Sequence, residues 1–209
     1  MQRIYLNKAN ICKNDIKVVE NGLNTNWVAT YGKYITKTER EIKKITKSKY
    51  VCLLNSGTSA LHLALKSFNF KKNSEVIVPS LTFISPVNSI IYSELKPVFI
   101  DVADDHNIDV ELFEEFLKKN TYIENKKTYN KKSRKQIVAL IIVHMWGNIL
   151  NLNKVKKICK SFNIKLIEDA AEALGSYIKM KNKKTHAGTF CNVGCLSFNG
   201  NKIVTGGNG

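Results

Sequence analysis

Short apolar runs alternate with amphipathic stretches along most of the 209-residue chain. Compact apolar runs bounded by polar residues predict buried strands, and apolar positions that recur with helical periodicity predict helices. The predicted strands are Tyr50–Asn55, Glu75–Val78, Pro97–Val102, Ile137–Val143, Lys165–Glu168 and Val193–Phe198. The predicted helices are Ser59–Phe68, Ser85–Tyr92, Val110–Lys119 and Leu152–Phe162. Because strands that alternate with helices need crossover connections, the pattern predicts one α/β domain with a mostly parallel sheet.

Local sequence signals add detail to several of these segments. Asp109 precedes a stretch with acidic residues at its start and lysines at its end, which is typical of a capped helix. Ile137–Val143 is apolar throughout, as in strands that are covered on both faces. The polar, lysine-rich segment Asn120–Gln136 is predicted to be a surface loop, and Trp27–Glu41 a glycine-containing approach to the first helix.

The composition is that of a soluble globular protein, with 44% hydrophobic and 24% charged residues and three prolines. No apolar run reaches the roughly 18 residues of a membrane span, and MQRIYLNKAN lacks the apolar core of a secretion signal. The five cysteines are odd in number and lie mostly in apolar segments, which suits buried free thiols better than disulfides. We therefore expect a cytoplasmic protein that makes no membrane contact.

The formal net charge of +16 raises the question of nucleic-acid binding. The basic residues are mostly scattered lysines, with local runs at 126–135 and 179–184. Nucleic-acid modules tend to show arginine-rich stripes, interleaved aromatic residues or a recognisable motif, and the chain has none of these. We interpret the lysines as solvated faces and expect no nucleic-acid partner, although the positive field could steer a phosphate-bearing ligand.

Polar residues that follow the predicted strands are the first candidates for a site. In open α/β sheets, ligands bind beyond the carboxyl ends of the strands. The segments that occupy this position are Ser56–Ser59, Pro79–Phe83, His144–Gly147, Asp169–Glu172 and Asn199–Lys202.

The turn N-S-G-T-S-A-L at 55–61 joins a predicted strand to a helix. Gly57 allows the backbone to approach a ligand closely, and the free N–H groups of a helix N-terminus favour an anion. Neither a P-loop nor a G-x-G-x-x-G fingerprint occurs in the chain. This turn alone therefore fits either a phosphate site or an ordinary capped helix.

Two further positions carry charge where the chain should be partly buried. Asp169 ends a buried strand, so its carboxylate needs a partner, which could be a protonated pyridine nitrogen or backbone donors at a helix start. Lys202 lies between a strand and a glycine-rich stretch, where partial desolvation would make its amine nucleophilic. A lone lysine in a loop is otherwise a solvated side chain, and the segment by itself leaves both interpretations open.

Four motifs follow one another in order: S-G-T-S-A-L at 56–61, P-S-L-T-F at 79–83, E-D-A-A-E-A-L-G at 168–175 and S-F-N-G-N-K at 197–202. Together they resemble the DegT/DnrJ/EryC1/StrS family of sugar aminotransferases that depend on pyridoxal phosphate (PLP). The resemblance extends from about residue 27 to the last residue. It implies the large domain of a fold-type I PLP-dependent transferase, with a mostly parallel sheet flanked by helices.

The resemblance also implies the cofactor, pyridoxal 5′-phosphate, and the residues that hold it. Lys202 would be the Schiff-base lysine that shuttles the proton during transamination, and Asp169 would hold the pyridine nitrogen. The cofactor phosphate would be held by three hydroxyl side chains, those of Thr58, Ser59 and Ser197. Phe83 would stack on the pyridine ring, and the alternative for this residue is a core aromatic after a strand.

Glu172 departs from the family pattern, which more commonly has glutamine at this position. The equivalent residue contacts the cofactor's ring oxygen, and a carboxylate beside a phenolate is repelled unless it is protonated or turned toward another donor. The E-D-A-A-E-A-L-G and S-F-N-G-N-K motifs look most like the branch that serves legionaminic- and bacillosamine-type nucleotide sugars.

Histidines and cysteines near these motifs raise the question of a metal. His144 ends its strand near the expected cofactor and is interpreted as a positioning residue or a structural one. The spacing of His186, Cys191 and Cys195 matches no common zinc pattern and no fourth ligand is evident, so we expect no metal.

The reaction implied by the resemblance is a two-step transfer of an amino group from glutamate to the keto carbon of a nucleotide-linked deoxysugar, in bacterial glycan biosynthesis. A sugar dehydratase on the same scaffold is one alternative, but such relatives commonly have histidine in place of Lys202. A non-catalytic homologue with the same fold is another, although Lys202 and Asp169 are both retained.

Family members continue well beyond residue 209 and form homodimers with shared active sites. We therefore expect residues 1–209 to be the N-terminal portion and most of the PLP-binding large domain, without the C-terminal small domain. On this view the 209-residue piece binds the cofactor poorly and is inactive alone.

Overall fold

The computed structural model describes residues 9–180 and 183–209. Two parts of the chain lie outside the described residues: 1–8, for which the sequence predicts no secretion signal, and 181–182 of the second basic run. The described chain opens with two helices, α1 (Lys13–Asn24) and α2 (Lys33–Thr46), that the hydrophobic pattern did not predict. The expected approach segment at 27–41 therefore contains the first turns of α2.

The remaining helices match the predictions to within two residues at each end. They are α3 (Gly57–Ser67), α4 (Ile84–Tyr92), α5 (Val110–Asn120) and α6 (Leu152–Ser161). Asp109 caps α5 as predicted, because its Oδ1 accepts a hydrogen bond from the Leu112 N–H at 2.9 Å. Acidic Glu111 lies in the first turn of α5, and Lys118 and Lys119 lie in the last.

The nine strands of the described chain are β1 (Glu75–Pro79), β2 (Lys96–Ile100), β3 (Thr121–Glu124), β4 (Lys127–Asn130), β5 (Gln136–Val143), β6 (Lys165–Asp169), β7 (Tyr177–Met180), β8 (Lys183–His186) and β9 (Val193–Cys195). Five of them are parallel and form the main sheet, in the order β2-β1-β5-β6-β9. The antiparallel hairpin β3-β4 joins the same sheet beside β5, and β7-β8 is a separate hairpin. The predicted α/β class and mostly parallel sheet are confirmed.

The register of the central strands brings their carboxyl ends level. Val143 at the end of β5 pairs with Asp169 at the end of β6, and Asp169 pairs with Cys195 at the end of β9. Residues that follow these three strands therefore emerge side by side at one edge of the sheet.

The apolar core lies on both faces of the sheet. Every residue of β5 from Ile137 to Val143 is buried, which confirms the prediction that this strand is covered on both sides. One cluster packs α5 and α6 against Ile77 and Leu140, and the other packs α3 and α4 against Val78 and Ile141. Burial of these apolar faces stabilises the sheet, and the sheet positions the loops that follow its strands.

The prediction of a strand at Tyr50–Asn55 is wrong. These residues connect α2 to α3 and pair with no strand in the described ranges. The Leu53 N–H donates instead to Glu39 Oε1 at 3.1 Å, and Tyr50 is exposed. None of residues 50–55 is fully buried, so this apolar run has neither the burial nor the hydrogen-bonding neighbour that a core strand needs.

The prediction of a loop at Asn120–Gln136 is also wrong, because β3 and β4 form a hairpin within it. Its two turn residues, Asn125 and Lys126, both have positive φ angles of 48° and 58°, as a tight two-residue hairpin turn requires. The Tyr122 and Tyr129 rings stack across the strands at 5.5 Å. Val193–Phe198 is a strand only as far as Cys195, since Phe198 N–H bonds to the Gly209 carbonyl at 2.7 Å.

The thiols are free, but the expectation that they are mostly buried holds only in part. Cys159 and Cys195 are buried and Cys191 is half-buried, whereas Cys12 and Cys52 are exposed. Burial raises the pKa of the Cys159 thiol to about 12, so this thiol stays protonated at neutral pH. Within the described ranges, no helix combines the length and apolar character needed to cross a bilayer.

Candidate active site

A cavity of about 420 Å³ opens at the carboxyl ends of the parallel strands. Its wall is formed by the start of α3, the β1-α4 connection, the ends of β5 and β6, and the loop after β9. Each of the five segments singled out in the sequence contributes to it. A larger open depression of about 510 Å³, which includes Lys165 at the amino end of β6, contains no residue of the four motifs.

The N-terminus of α3 presents its backbone to this cavity. Ser56 caps the helix by accepting the Ser59 N–H on its Oγ at 3.1 Å. A Cβ atom at Gly57 would lie 3.1 Å from Ser197 Cβ, so the small residue lets the helix start press against the loop after β9. The free N–H groups and the helix dipole of such a terminus favour an anionic group.

The three hydroxyl residues expected near the phosphate lie at this helix start, in different settings. Thr58 lines the cavity and shares a hydrogen bond of 2.8 Å with Ser85, a residue without an assigned role in the sequence. Ser197 lines it too and donates to the Gly209 carbonyl at 3.1 Å. Ser59 is turned to the Ser56 hydroxyl at 3.0 Å and is not part of the cavity wall.

Asp169 is a buried acid at the base of the cavity, with 4% of its surface exposed. Its Oδ1 accepts the Ala171 N–H at 3.0 Å, which is the backbone partner that the sequence left open. Burial raises the pKa of the carboxyl from 3.8 to about 6, against the lowering effects of the Ala171 bond and of Lys202. One backbone bond thus only partly compensates the loss of water around this group.

Lys202 reaches the same cavity and forms an ion pair with Glu172. Its Nζ lies 3.1 Å from Glu172 Oε1, and only 13% of the lysine side chain is exposed. The other oxygen, Glu172 Oε2, accepts the backbone N–H of Trp146 at 3.1 Å. Lys202 is therefore not a solvated surface lysine, and Glu172 is turned toward two donors, as a carboxylate at this position requires.

His144, in the cavity wall, pairs with Glu168, which ends a predicted strand and begins the third motif but received no role from the sequence. The two side chains are fully buried, with His144 Nε2 3.1 Å from Glu168 Oε2. The Glu168 carboxylate also accepts the backbone N–H groups of Gly188, Phe190 and Cys191, each at 2.7 Å. A carboxylate accepts hydrogen bonds but does not donate them, so His144 donates from Nε2. The buried Nδ1 of His144 has no partner in the structure. A charged residue inside an apolar strand was the sequence signal for this pair.

The residues considered for a metal have other roles. His186 accepts the Gly175 N–H on Nε2 at 2.8 Å and bonds through Nδ1 to the Ala187 carbonyl. Cys195 is buried at the end of β9, and burial places the pKa of its thiol above the ordinary range. No cluster of three potential metal ligands exists within residues 9–180 and 183–209.

Aromatic residues stand at the cavity mouth. Phe83 lines it with 69% of its surface exposed, so it is not a core aromatic. Trp146, which received no role from the sequence, also lines the cavity and is 70% exposed. The neighbouring Thr82 has a buried Oγ1 without a hydrogen-bond partner, and its place three residues after β1 was the available signal.

Comparison with known proteins agrees with the motif order. A sequence profile of the DegT/DnrJ/EryC1/StrS aminotransferase family matches residues 9–209. GDP-perosamine synthase of Escherichia coli O157:H7 is 32% identical over 209 residues, which are 100% of this chain and 52% of that protein. UDP-4-amino-4,6-dideoxy-N-acetyl-beta-L-altrosamine transaminase of Campylobacter jejuni is 32% identical over 196 residues, 94% of this chain and 47% of that protein. The chain spans about half the length of the curated relatives it matches.

Solved structures show the same fold. Helicobacter pylori PseC, an aminotransferase involved in the biosynthesis of pseudoaminic acid, matches with a TM-score of 0.81 at 25% identity, over 99% of this chain and 51% of that one. The GDP-4-keto-6-deoxy-D-mannose-3-dehydratase of E. coli, solved with bound hydrated PLP, matches with a TM-score of 0.77 at 24% identity, over 96% of this chain and 48% of that one. The expected fold, that of fold-type I PLP-dependent transferases, is confirmed.

Proposed function

The chain belongs to the DegT/DnrJ/EryC1/StrS aminotransferase family, and we propose that the full-length protein is a PLP-dependent aminotransferase that acts on a nucleotide-linked keto-deoxysugar. The observation that carries this proposal is the meeting of Lys202 and Asp169 in one cavity, although they belong to separate motifs. The substrate class is supported by the relatives' names, which refer to GDP- and UDP-linked amino sugars.

The residues of the cavity fit PLP. Its volume of about 420 Å³ falls within the range of small-molecule sites. One end offers the N-terminus of α3, where Gly57 leaves no room for a side chain against Ser197. The other offers the buried, incompletely compensated carboxylate of Asp169. Lys202 supplies an amine, and Thr82 supplies a buried hydroxyl without a partner.

When bound, PLP supplies an aldehyde that bonds to amines and a ring that accepts electrons. Lys202 Nζ is the amine placed to make that bond, and it must first lose its proton. Glu172 Oε1, at 3.1 Å, holds the Lys202 amine at the cavity through an ion pair. In the transamination that PLP would support, Lys202 Nζ would be the group that carries a proton to and from the reacting carbon.

Asp169 would hold the pyridine nitrogen in its protonated form. Burial raises the pKa of this carboxyl to about 6 despite the effect of Lys202, and a pyridinium would supply a positive partner in direct contact. The ion pair would keep the ring positively charged, which is the state that draws electrons from the substrate. The buried carboxylate of Asp169 would thus gain a positive partner, and the cofactor would keep its nitrogen protonated.

The phosphate of the cofactor would lie at the start of α3. Backbone N–H groups, the helix dipole and the Thr58 hydroxyl are available there, and Ser197 faces Gly57 from the adjacent loop. Ser59 would contribute by its place in the first turn, through the cap that it forms with Ser56. Phe83 would cover the ring from the β1-α4 connection.

Further parts of the proposal concern the whole protein. We assign glutamate as the amino donor, a homodimer with shared active sites as the assembly, and the cytoplasm as the compartment, where free thiols are stable. Residues 1–209 would provide most of the PLP-binding large domain and would be inactive without the remainder.

A sugar dehydratase is the second candidate, supported by the fold shared with the E. coli dehydratase. Lys202 is evidence against a dehydratase, because its amine lies in the cavity beside Glu172. Dehydratases of this scaffold commonly have histidine there and form no covalent link through a lysine.

Nitrogen-labelled glutamate separates these candidates. The full-length protein is incubated with PLP, labelled glutamate and nucleotide-linked 4-keto-6-deoxyhexoses, and the sugar products are analysed by mass spectrometry. An aminotransferase places the label on the sugar, and the Lys202→Ala variant does not. A product that has lost oxygen and gained no label would establish the dehydratase instead.

A further inference from the structure

Trp146 has an unfavourable backbone conformation at the cavity mouth. Its φ and ψ angles of 51° and 27° lie in the left-handed region, which bulky side chains rarely adopt. Specific bonds hold it there: the Trp146 N–H bonds to Glu172 Oε2 at 3.1 Å, and the Asn148 N–H bonds to the Met145 carbonyl at 2.8 Å. A strained backbone that the surroundings maintain at a cavity is a signal of function.

The side chain of Trp146 gains little burial from this arrangement. The residue is 70% exposed although its indole could bury a large apolar area elsewhere. Its ring lies 5.0 Å from the His106 ring, and His106 also has a left-handed φ of 64°. Asn148 Nδ2 bonds to the Asp105 carbonyl at 3.3 Å, so two loops hold the indole at the mouth.

Trp146 is also adjacent to the expected reaction centre. The Glu172 carboxylate contacts both Trp146 and Lys202. Its Oε2 accepts the backbone N–H of Trp146 and its Oε1 pairs with Lys202 Nζ, each at 3.1 Å. A substrate carbon that reacts at Lys202 would place the ring to which it belongs in the cavity whose wall includes Trp146. The nucleotide base lies farther away, because a diphosphate separates it from the sugar.

We propose that Trp146 contacts the substrate by stacking its indole on the deoxyhexose ring of the nucleotide sugar. This inference rests on the proposed function, and it names the residue that recognises the sugar. The C–H face and methyl group of a 6-deoxyhexose are apolar, and a large aromatic face desolvates them without needing a hydrogen bond. Trp146 is thereby a specificity-determining residue, whereas Phe83 covers the cofactor.

The test compares binding of two ligands to the full-length protein loaded with PLP: a nucleotide-linked 6-deoxyhexose, and the matching nucleoside diphosphate without sugar. Calorimetric titration is carried out on the wild type, Trp146→Ala, Trp146→Phe and the control Trp27→Phe, whose tryptophan lies outside the cavity wall. We expect Trp146→Ala to weaken nucleotide-sugar binding about tenfold and diphosphate binding less than about twofold, as the loss of one aromatic stack implies. Trp146→Phe should restore most of the affinity, and Trp27→Phe should match the wild type.

Two results would overturn the stacking. One is unchanged nucleotide-sugar affinity in Trp146→Ala, and the other is an equal loss for both ligands, which would place the indole on the nucleotide part. Visible absorbance of the bound cofactor is recorded for each variant, to verify that PLP loading is equal. If the wild type binds the sugar but aminates none, the proposed function fails; if it is active and Trp146→Ala binds as the wild type does, the stacking alone fails.

Discussion

Glu172 Oε1 lies 3.1 Å from Lys202 Nζ, and the lysine side chain is only 13% exposed. The pair joins the third motif of the chain to the fourth, thirty positions apart. It explains how a carboxylate is accommodated where the family more commonly has an amide, because both oxygens of Glu172 have donors. The same contact holds the Lys202 amine inside the cavity, where the proposed bond to the cofactor would form.

Glu172→Gln keeps the shape of the side chain and removes its charge. The ion pair is partly exposed, so its loss should lower the free energy of unfolding by less than about 1 kcal/mol. PLP should bind about threefold to tenfold more tightly, because no carboxylate then faces the phenolate of the cofactor. Fluorescence titration of the full-length protein with PLP measures this change, with Glu41→Gln as an exposed control. Weaker cofactor binding in Glu172→Gln would contradict the expected repulsion.

Asp169 should make stability depend on pH when no cofactor is bound. Its pKa is higher in the folded state, at about 6, than its ordinary 3.8, so the folded protein holds the extra proton between these values. Stability from this group is therefore present below about pH 4 and is lost as the pH rises through about 6, by about 3 kcal/mol in total. Urea unfolding of the full-length protein, compared with Asp169→Asn, isolates this slope.

Addition of PLP should reverse this dependence for the wild type. A pyridinium beside Asp169 favours the ionised carboxylate, so the stability difference between wild type and Asp169→Asn should grow in favour of the wild type at neutral pH. Equal stabilisation of both proteins by PLP at neutral pH would show that Asp169 does not hold the cofactor.

Gly57→Ala tests the close approach of α3 to the loop after β9. The added Cβ would lie 3.1 Å from Ser197 Cβ and 3.3 Å from its Oγ, so the helix start must move away. We expect PLP affinity to fall about tenfold or more as the phosphate contacts loosen. Gly200→Ala is the matched control, because its Cβ has ordinary room, 3.7 Å from the Gly207 carbonyl oxygen. Equal effects of both substitutions on PLP binding would refute the role of the Gly57 contact.

Glu168→Gln tests the buried support behind the cavity. The amide would turn an N–H₂ group toward donors that now reach both carboxylate oxygens, and it would remove the charge paired with His144. Loss of one partner of such a buried, bonded network costs about 3 kcal/mol or more. Glu115→Gln, on the exposed face of α5, should change stability by less than about 0.5 kcal/mol. Comparable melting temperatures for the two variants would show that the Glu168 network contributes little.

Much of the fold could be predicted from the sequence, because the buried positions of helices and strands give a regular pattern of apolar residues. The apolar run Ile137–Val143 and the strand–helix alternation predicted the sheet, and Asp109 predicted a helix start that its side chain does cap. The position of the cavity also followed, since the carboxyl ends of parallel strands meet at one edge.

What the sequence could not supply depends on partners distant in the chain. Residues 50–55 have the apolar content of a strand but no neighbour to bond, and Asn125 and Lys126 form a hairpin turn that their residue types only weakly favour. The Lys202–Glu172 pair and the left-handed backbone conformation of Trp146 depend on contacts that exist only once the sheet is folded. The segments that line the cavity were thus predictable from the sequence, whereas the contacts between their residues were not.

The covalent attachment of the cofactor is the most direct test of the account. The full-length protein is loaded with PLP and reduced with borohydride to make the link to lysine permanent, and its peptides are mapped by mass spectrometry. We predict a pyridoxyl group on the peptide that contains Lys202, and none on that peptide in the Lys202→Ala variant. A pyridoxyl group confined to another lysine, or none at all in a protein that binds PLP, would contradict the assignment of Lys202.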